Sequence, residues 1–146
     1  MNTKDKESNF EPYVFSIKEQ AEQHVNSLDT LRDIAQQKTL SFVERSAVER
    51  SIQVLVETAI GCSKHLLKKR EKPVPSEARA SIERVYEILA ITEPELNDLR
   101  GAIGMRNAII HDYLNLDWQK LEIVLKSSKY NKVNEYITVV SRALCN

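Results

Sequence analysis

The sequence predicts an all-α fold, an up-and-down bundle of four long helices plus a short one. Apolar residues recur in steps of three and four along five stretches, and no stretch keeps the two-residue alternation of a half-buried strand. Only 3 Gly and 4 Pro interrupt 146 residues, which fits one domain with few turns. Bundles of this size often complete their core by pairing with a second copy, so a two-fold homodimer is expected.

Residues 1–12 are polar, contain Pro12 and read as a flexible N-terminal arm; residues 13–146 read as a single helical domain. In the first helix Val14, Ile17, Ala21, Val25, Leu28, Leu31 and Ile34 make one apolar stripe. Thr39-Leu40-Ser41 ends it, and Ser41 with Glu44 forms a capping box for the second helix. That helix carries the widest stripe, from Val48 and Ile52 to Leu66 and Leu67, which suits the centre of a bundle, with Cys62 as a small core residue. Lys68, Lys69, Arg70 and Lys72 end it ahead of Pro73 and Pro75. These cations complement the negative end of the helix dipole, with an RNA contact as the sharper alternative.

Ser76 is expected to cap the short third helix, with Ile82, Val85 and Tyr86 inward. Thr92 and Glu95 suggest a second capping box, with Pro94 in the first turn of the fourth helix. Gly101 and Gly104 inside that helix each cost about 1 kcal/mol relative to Ala, and imply that something packs closely against the backbone. Asp117 is a good cap for the last helix, whose stripe is diluted at 126–131, so a break or kink is expected near residue 128.

Lys plus Arg and Asp plus Glu are 21 each, a formal net charge of zero. This argues against a protein that coats nucleic acid, because that binding needs many phosphate contacts from a basic surface. A small local RNA site is compatible with it. Cys62 and Cys145 show no metal-ligand spacing, and neither zinc nor a disulfide framework is indicated. The polar start is unlike a signal peptide, and no 18 apolar residues run together, so a cytoplasmic protein is expected.

The chemistry concentrates in Arg106-Asn107-Ala108-Ile109-Ile110-His111-Asp112-Tyr113. Polar side chains in an otherwise apolar segment cost free energy unless they are paired or used. RNA is cut without a metal when one group takes the 2′-hydroxyl proton, another protonates the leaving 5′-oxygen and a cation balances charge at phosphorus. Histidine suits the proton transfers and arginine the charge, while asparagine can hydrogen-bond phosphate or orient an imidazole. On a straight helix His111 lies roughly 140° round from Arg106, Asn107 about 40° from His111 and Tyr113 about 20° from Arg106. Either the helix ends or distorts near His111, or a second copy supplies the missing groups. The bland readings are an arginine paired with Asp112 or with a Glu of a neighbouring helix, a structural histidine, and a tyrosine at the core edge. His24 and His65 have no partners at readable spacing.

The pattern R-N-x3-H-x-Y resembles the signature of the HEPN superfamily of helical ribonucleases, most closely HepT toxins. Glu49-Arg50-Ser51-Ile52-Gln53, Glu57-Thr58-Ala59-Ile60 and Leu116-Asp117-Trp118 are similar to their counterparts there, and Met105 stands where Phe is frequent. The resemblance implies a homodimeric, metal-independent endoribonuclease that needs no cofactor, with its cleft at the dimer interface, cleaving mRNA or tRNA as the toxin of a type VII-like toxin–antitoxin pair. Arg106 and His111 would be catalytic, and Asn107 supporting. The partner would be a MntA-like MNT nucleotidyltransferase, using ATP and Mg to place AMP on Tyr113. The competing readings are a non-catalytic HEPN-like module that binds nucleotide or docks with a nucleotidyltransferase, and a purely structural bundle subunit.

Overall fold

In the computed structural model, which describes residues 9–146, the chain forms six α-helices and one turn of 3-10 helix. They are α1 (Glu11–Ala35), α2 (Phe42–Lys69), α3 (Ala78–Leu89), α4 (Leu96–His111), the turn Tyr113–Asn115, α5 (Trp118–Lys126) and α6 (Tyr130–Cys145). No strand occurs among the described residues. The last predicted helix is two: the chain leaves the helix at Ser127 and passes through Ser128 at φ 62 before α6 begins. Arg32 Nη1 donates to Ser128 Oγ at 2.6 Å and Tyr130 Oη to Asp29 Oδ1, so α1 latches the break.

α2 is the centre. It packs against α1, α3, α4 and α6, and Val48, Leu55, Val56, Ala59, Cys62, Leu66 and Leu67 are buried along it. The Ser41 capping box forms as expected: Glu44 N–H donates to Ser41 Oγ at 3.2 Å and Ser41 N–H to Glu44 Oε1 at 2.8 Å. Asp117 caps α5, accepting from the backbone N–H of Gln119 and Lys120.

Other expectations are corrected. α1 begins at Glu11 and Phe10 packs against the core, so the predicted arm ends earlier; its residues 1–8 lie outside the described residues. Ser76 caps nothing: Glu77 is the N-cap of α3, without a side-chain bond, while Ser81 Oγ reaches the Pro75 and Glu77 carbonyls at 3.2 Å. The Thr92–Glu95 box does not form either. Pro94 precedes α4 instead of sitting in its first turn, because Tyr86 Oη donates to the Pro94 carbonyl at 2.7 Å and fixes the turn, leaving Glu95 as N-cap. Lys69 Nζ caps the end of α6, not of its own helix, through the carbonyls of Ala143, Leu144 and Asn146. Among the described residues nothing comes within 4 Å of a Cβ placed at Gly101 or Gly104, so the expected close packing is absent there and both face outward.

Candidate active site

Local sequence ends α4 at the motif. Asp112 N–H still donates to the Ala108 carbonyl, but Asp112 has φ −140 and ψ 42, and the chain turns into Tyr113–Asn115. Asn115 Nδ2 then donates to Asp112 Oδ1 at 2.8 Å and holds that turn. His111 is therefore the last residue of α4, and Tyr113 stands off the helix, away from the place that helical geometry gives it beside Arg106.

Arg106 points inward. Its side chain is 19% exposed, its Nη1 donates to Asn107 Oδ1 at 2.8 Å, and its Nε lies 3.8 Å from Glu57 Oε2 on α2. That separation is an ion pair and too long for a hydrogen bond, so the buried Nε has no hydrogen-bond partner. His111 is exposed, and no side-chain hydrogen bond within the described residues engages it. Arg106 turns to α2 and His111 to solvent; one copy of the chain does not bring them together.

Sequence reasoning missed what α2 contributes. Arg45, Glu49, Gln53 and Glu57 recur every fourth residue, drifting about 40° per step, and so form one polar edge beside the apolar stripe. Gln53 Nε2 donates to Glu57 Oε2 at 3.4 Å. The Arg45 guanidinium stacks over Trp118, 4.6 Å from the ring centre. Glu49 is buried, and its carboxylate faces the half-exposed Tyr113. By its hydrogen-bonding pull on the phenol proton and then by its charge, Glu49 raises the Tyr113 pKa above the usual tyrosine range, with Arg45 opposing. The signal available in the sequence was this four-residue repeat on a helix expected to be central, where a solvated face has no place.

The other two histidines, His24 and His65, are engaged within the fold. His24 Nδ1 bonds Ser51 Oγ at 2.9 Å, and burial followed by the nearby Arg50 charge lowers its pKa. His65 lies against the Tyr13 ring, centroids 4.6 Å apart. An apolar cavity of about 160 Å³ beside Gly101, lined by Ile52, Val56, Met105 and Val133, contains none of the motif's polar residues.

Residues 18–140 match the HepT-like family, described as ribonuclease HepT-like. The chain belongs to this family. Among curated relatives, the mRNA nuclease HepT of Shewanella oneidensis is 30% identical over 78 residues, 52% of this chain, and the match spans 59% of that relative's length. Three solved structures share the fold. A tri-AMPylated Shewanella oneidensis HEPN toxin in complex with MNT antitoxin gives a TM-score of 0.78 at 19% identity, covering 88% of this chain and 96% of that one. A toxin–antitoxin with AMP-PNP gives 0.76 at 18%, covering 87% and 96%. A mutant MntA–HpeT toxin–antitoxin complex gives 0.77 at 17%, covering 88% and 98%. As a HepT-like bundle, the chain carries the R-N-x3-H-x-Y motif where α4 meets α2, and no helix among the described residues is long and apolar enough to cross a membrane.

Proposed function

We propose that this chain is the toxin of a toxin–antitoxin pair and a metal-independent endoribonuclease, acting as a homodimer on mRNA or tRNA. The observation that carries the reading is the R-N-x3-H-x-Y motif of a HepT-like bundle, with its arginine 19% exposed and held against α2 and its histidine exposed at the end of α4. No hydrogen bond among the described residues engages the His111 side chain or Arg106 Nη2, although the rest of the guanidinium meets Asn107 and Glu57. His111 takes the proton of the 2′-hydroxyl as its oxygen bonds to phosphorus. The bond from phosphorus to the 5′-oxygen breaks, and that oxygen receives a proton from the His111 of the second copy. Arg106, supported by Asn107, balances the charge gathering on the phosphate. The products are a 2′,3′-cyclic phosphate and a 5′-hydroxyl.

Two features support pairing of two copies at this face. Gly101 and Gly104 leave open space on the outer side of α4, so a second helix can approach its backbone. Tyr113 is 50% and Leu114 99% exposed in the turn that follows the same helix. An isologous contact there would set two motifs face to face.

The antitoxin in this reading is a MNT-type nucleotidyltransferase that uses ATP and Mg to modify Tyr113. The phenol gives up its proton to solvent as its oxygen bonds to the α-phosphorus of ATP, pyrophosphate leaves, and AMP then fills the place of the substrate phosphate with negative charge and bulk.

The test incubates the unmodified chain and His111→Ala with cellular RNA in EDTA. Cleavage by the parent alone, with cyclic phosphate and 5′-hydroxyl ends, is the expected result. If neither cuts while both are folded dimers without an adduct on Tyr113, the chain is a nucleotide-binding partner instead.

A further inference from the structure

We propose that Glu57 on α2 is the positioning residue of Arg106, fixing the inner side of the guanidinium so that its outer side is presented to an RNA phosphate. The inference rests on the ribonuclease reading above and adds a residue that lies outside the motif.

A guanidinium has three nitrogens, and two of them are directed by the protein. Nη1 donates to Asn107 Oδ1 at 2.8 Å, and Nε faces Glu57 Oε2 at 3.8 Å. Nη2 engages no protein group among the described residues. The outer side, Nη2 with the second proton of Nη1, is thus the part free to meet phosphate oxygens in the forked geometry that arginine favours.

The Nε contact is the unusual one. This donor is buried and unpartnered, while its natural acceptor stands short of hydrogen-bond distance. The same Glu57 Oε2 also accepts from Gln53 Nε2 at 3.4 Å, one turn earlier on α2. A catalytic contact that is long in the free protein and tightens in the complex behaves in this way. A phosphate bound on the outer side holds the guanidinium between two anions, and closure of Nε onto Glu57 completes the hydrogen bond as the reaction proceeds. Closure begins when the phosphate binds and tightens as charge builds on it, so most of the gain falls on the transition state.

The experiment compares the parent, Glu57→Ala, Glu57→Gln, Arg106→Ala and the double variant E57A/R106A, each shown to be folded by circular dichroism. It measures kcat and KM on an RNA oligonucleotide, together with the Arg106 Nε–H signal by 15N NMR with and without the all-deoxy oligonucleotide, which lacks the attacking hydroxyl. Glu57→Ala should lower kcat by about 10²-fold, the size expected of a slightly misplaced group, with KM little changed. Glu57→Gln, which keeps an acceptor, should recover part of it, and E57A should add nothing on the R106A background. The Nε–H signal should move on adding the deoxy oligonucleotide to the parent and not with Glu57→Ala. If Glu57→Ala cuts like the parent while Arg106→Ala is inactive, or if the two losses add, the inference is overturned and the ribonuclease reading stands. If Arg106→Ala cuts like the parent, Arg106 loses its role and Glu57 with it. A parent that cuts no RNA overturns the ribonuclease reading, and with it the role of Glu57 in cleavage. The NMR signal then decides only whether Glu57 holds Arg106, which it does not if Glu57→Ala leaves that signal unchanged.

Discussion

Tyr113, half exposed beyond the end of α4, faces Glu49, a carboxylate 8% exposed on α2. Removing that negative charge makes the phenolate easier to form. Glu49→Gln should therefore lower the Tyr113 pKa toward the ordinary 10.0, read as the difference in phenolate absorbance between each protein and its Tyr113→Phe counterpart. An unchanged titration would show that Glu49 does not act on the phenol. In the proposed reading Tyr113→Phe also takes no AMP from ATP and the antitoxin, as judged by intact mass, yet still cuts RNA.

Gly101 and Gly104 separate monomer stability from assembly. A Cβ at either meets nothing within 4 Å, so Gly104→Ala should stabilise the isolated chain by up to about 1 kcal/mol in thermal unfolding. Gly104→Leu should leave helix content unchanged and shift the sedimentation coefficient from dimer to monomer. A persisting dimer would place the interface elsewhere.

Ser63 and Tyr136 make an unequal pair in the core. Ser63 Oγ donates its one proton to the Ala59 carbonyl at 2.7 Å, so it accepts from Tyr136 Oη. Tyr136→Phe leaves serine satisfied and should cost about 1 kcal/mol, whereas Ser63→Ala strands a buried hydroxyl and should cost about 1–3 kcal/mol. Equal losses in urea unfolding would contradict this donor order.

All five tyrosines hold their protons more tightly than usual, Tyr13 and Tyr130 up to about 12 and Tyr86 and Tyr136 beyond, mainly through burial, and Tyr113 through Glu49. The unfolded chain loses these protons near pH 10 and the folded chain only later. The stability tied to them is complete below about pH 10 and is lost as pH rises through about 12. Unfolding free energy should fall with pH across that window, and a flat profile would remove the link to burial.

How much was legible follows from how local each determinant is. The stripe from Val48 to Leu67 and the caps at Ser41 and Asp117 are set within a few residues, and they form. Ser76 and Thr92 have equally good capping chemistry, but partners from elsewhere, Ser81 with its carbonyls and Tyr86 with Pro94, decide where α3 and α4 begin. Arg106, Asn107, His111 and Tyr113 were readable as a pattern. Glu49 and Glu57 left only the fainter signal of a four-residue polar repeat on a central helix, because what sets them apart, the burial of Glu49 and the approach of Arg106 to Glu57, is tertiary.

The division of the site between α2 and the turn after α4 has a consequence for motion. α2 is packed against four helices, and its amide protons should exchange with solvent only when the whole bundle opens. Tyr113 sits in three residues of 3-10 helix, none of them buried, and that segment can open at small cost while the core stays shut. The half of the site that steadies charge is tied to global unfolding, and the half that would accept a modification can be offered to another enzyme without loosening the first.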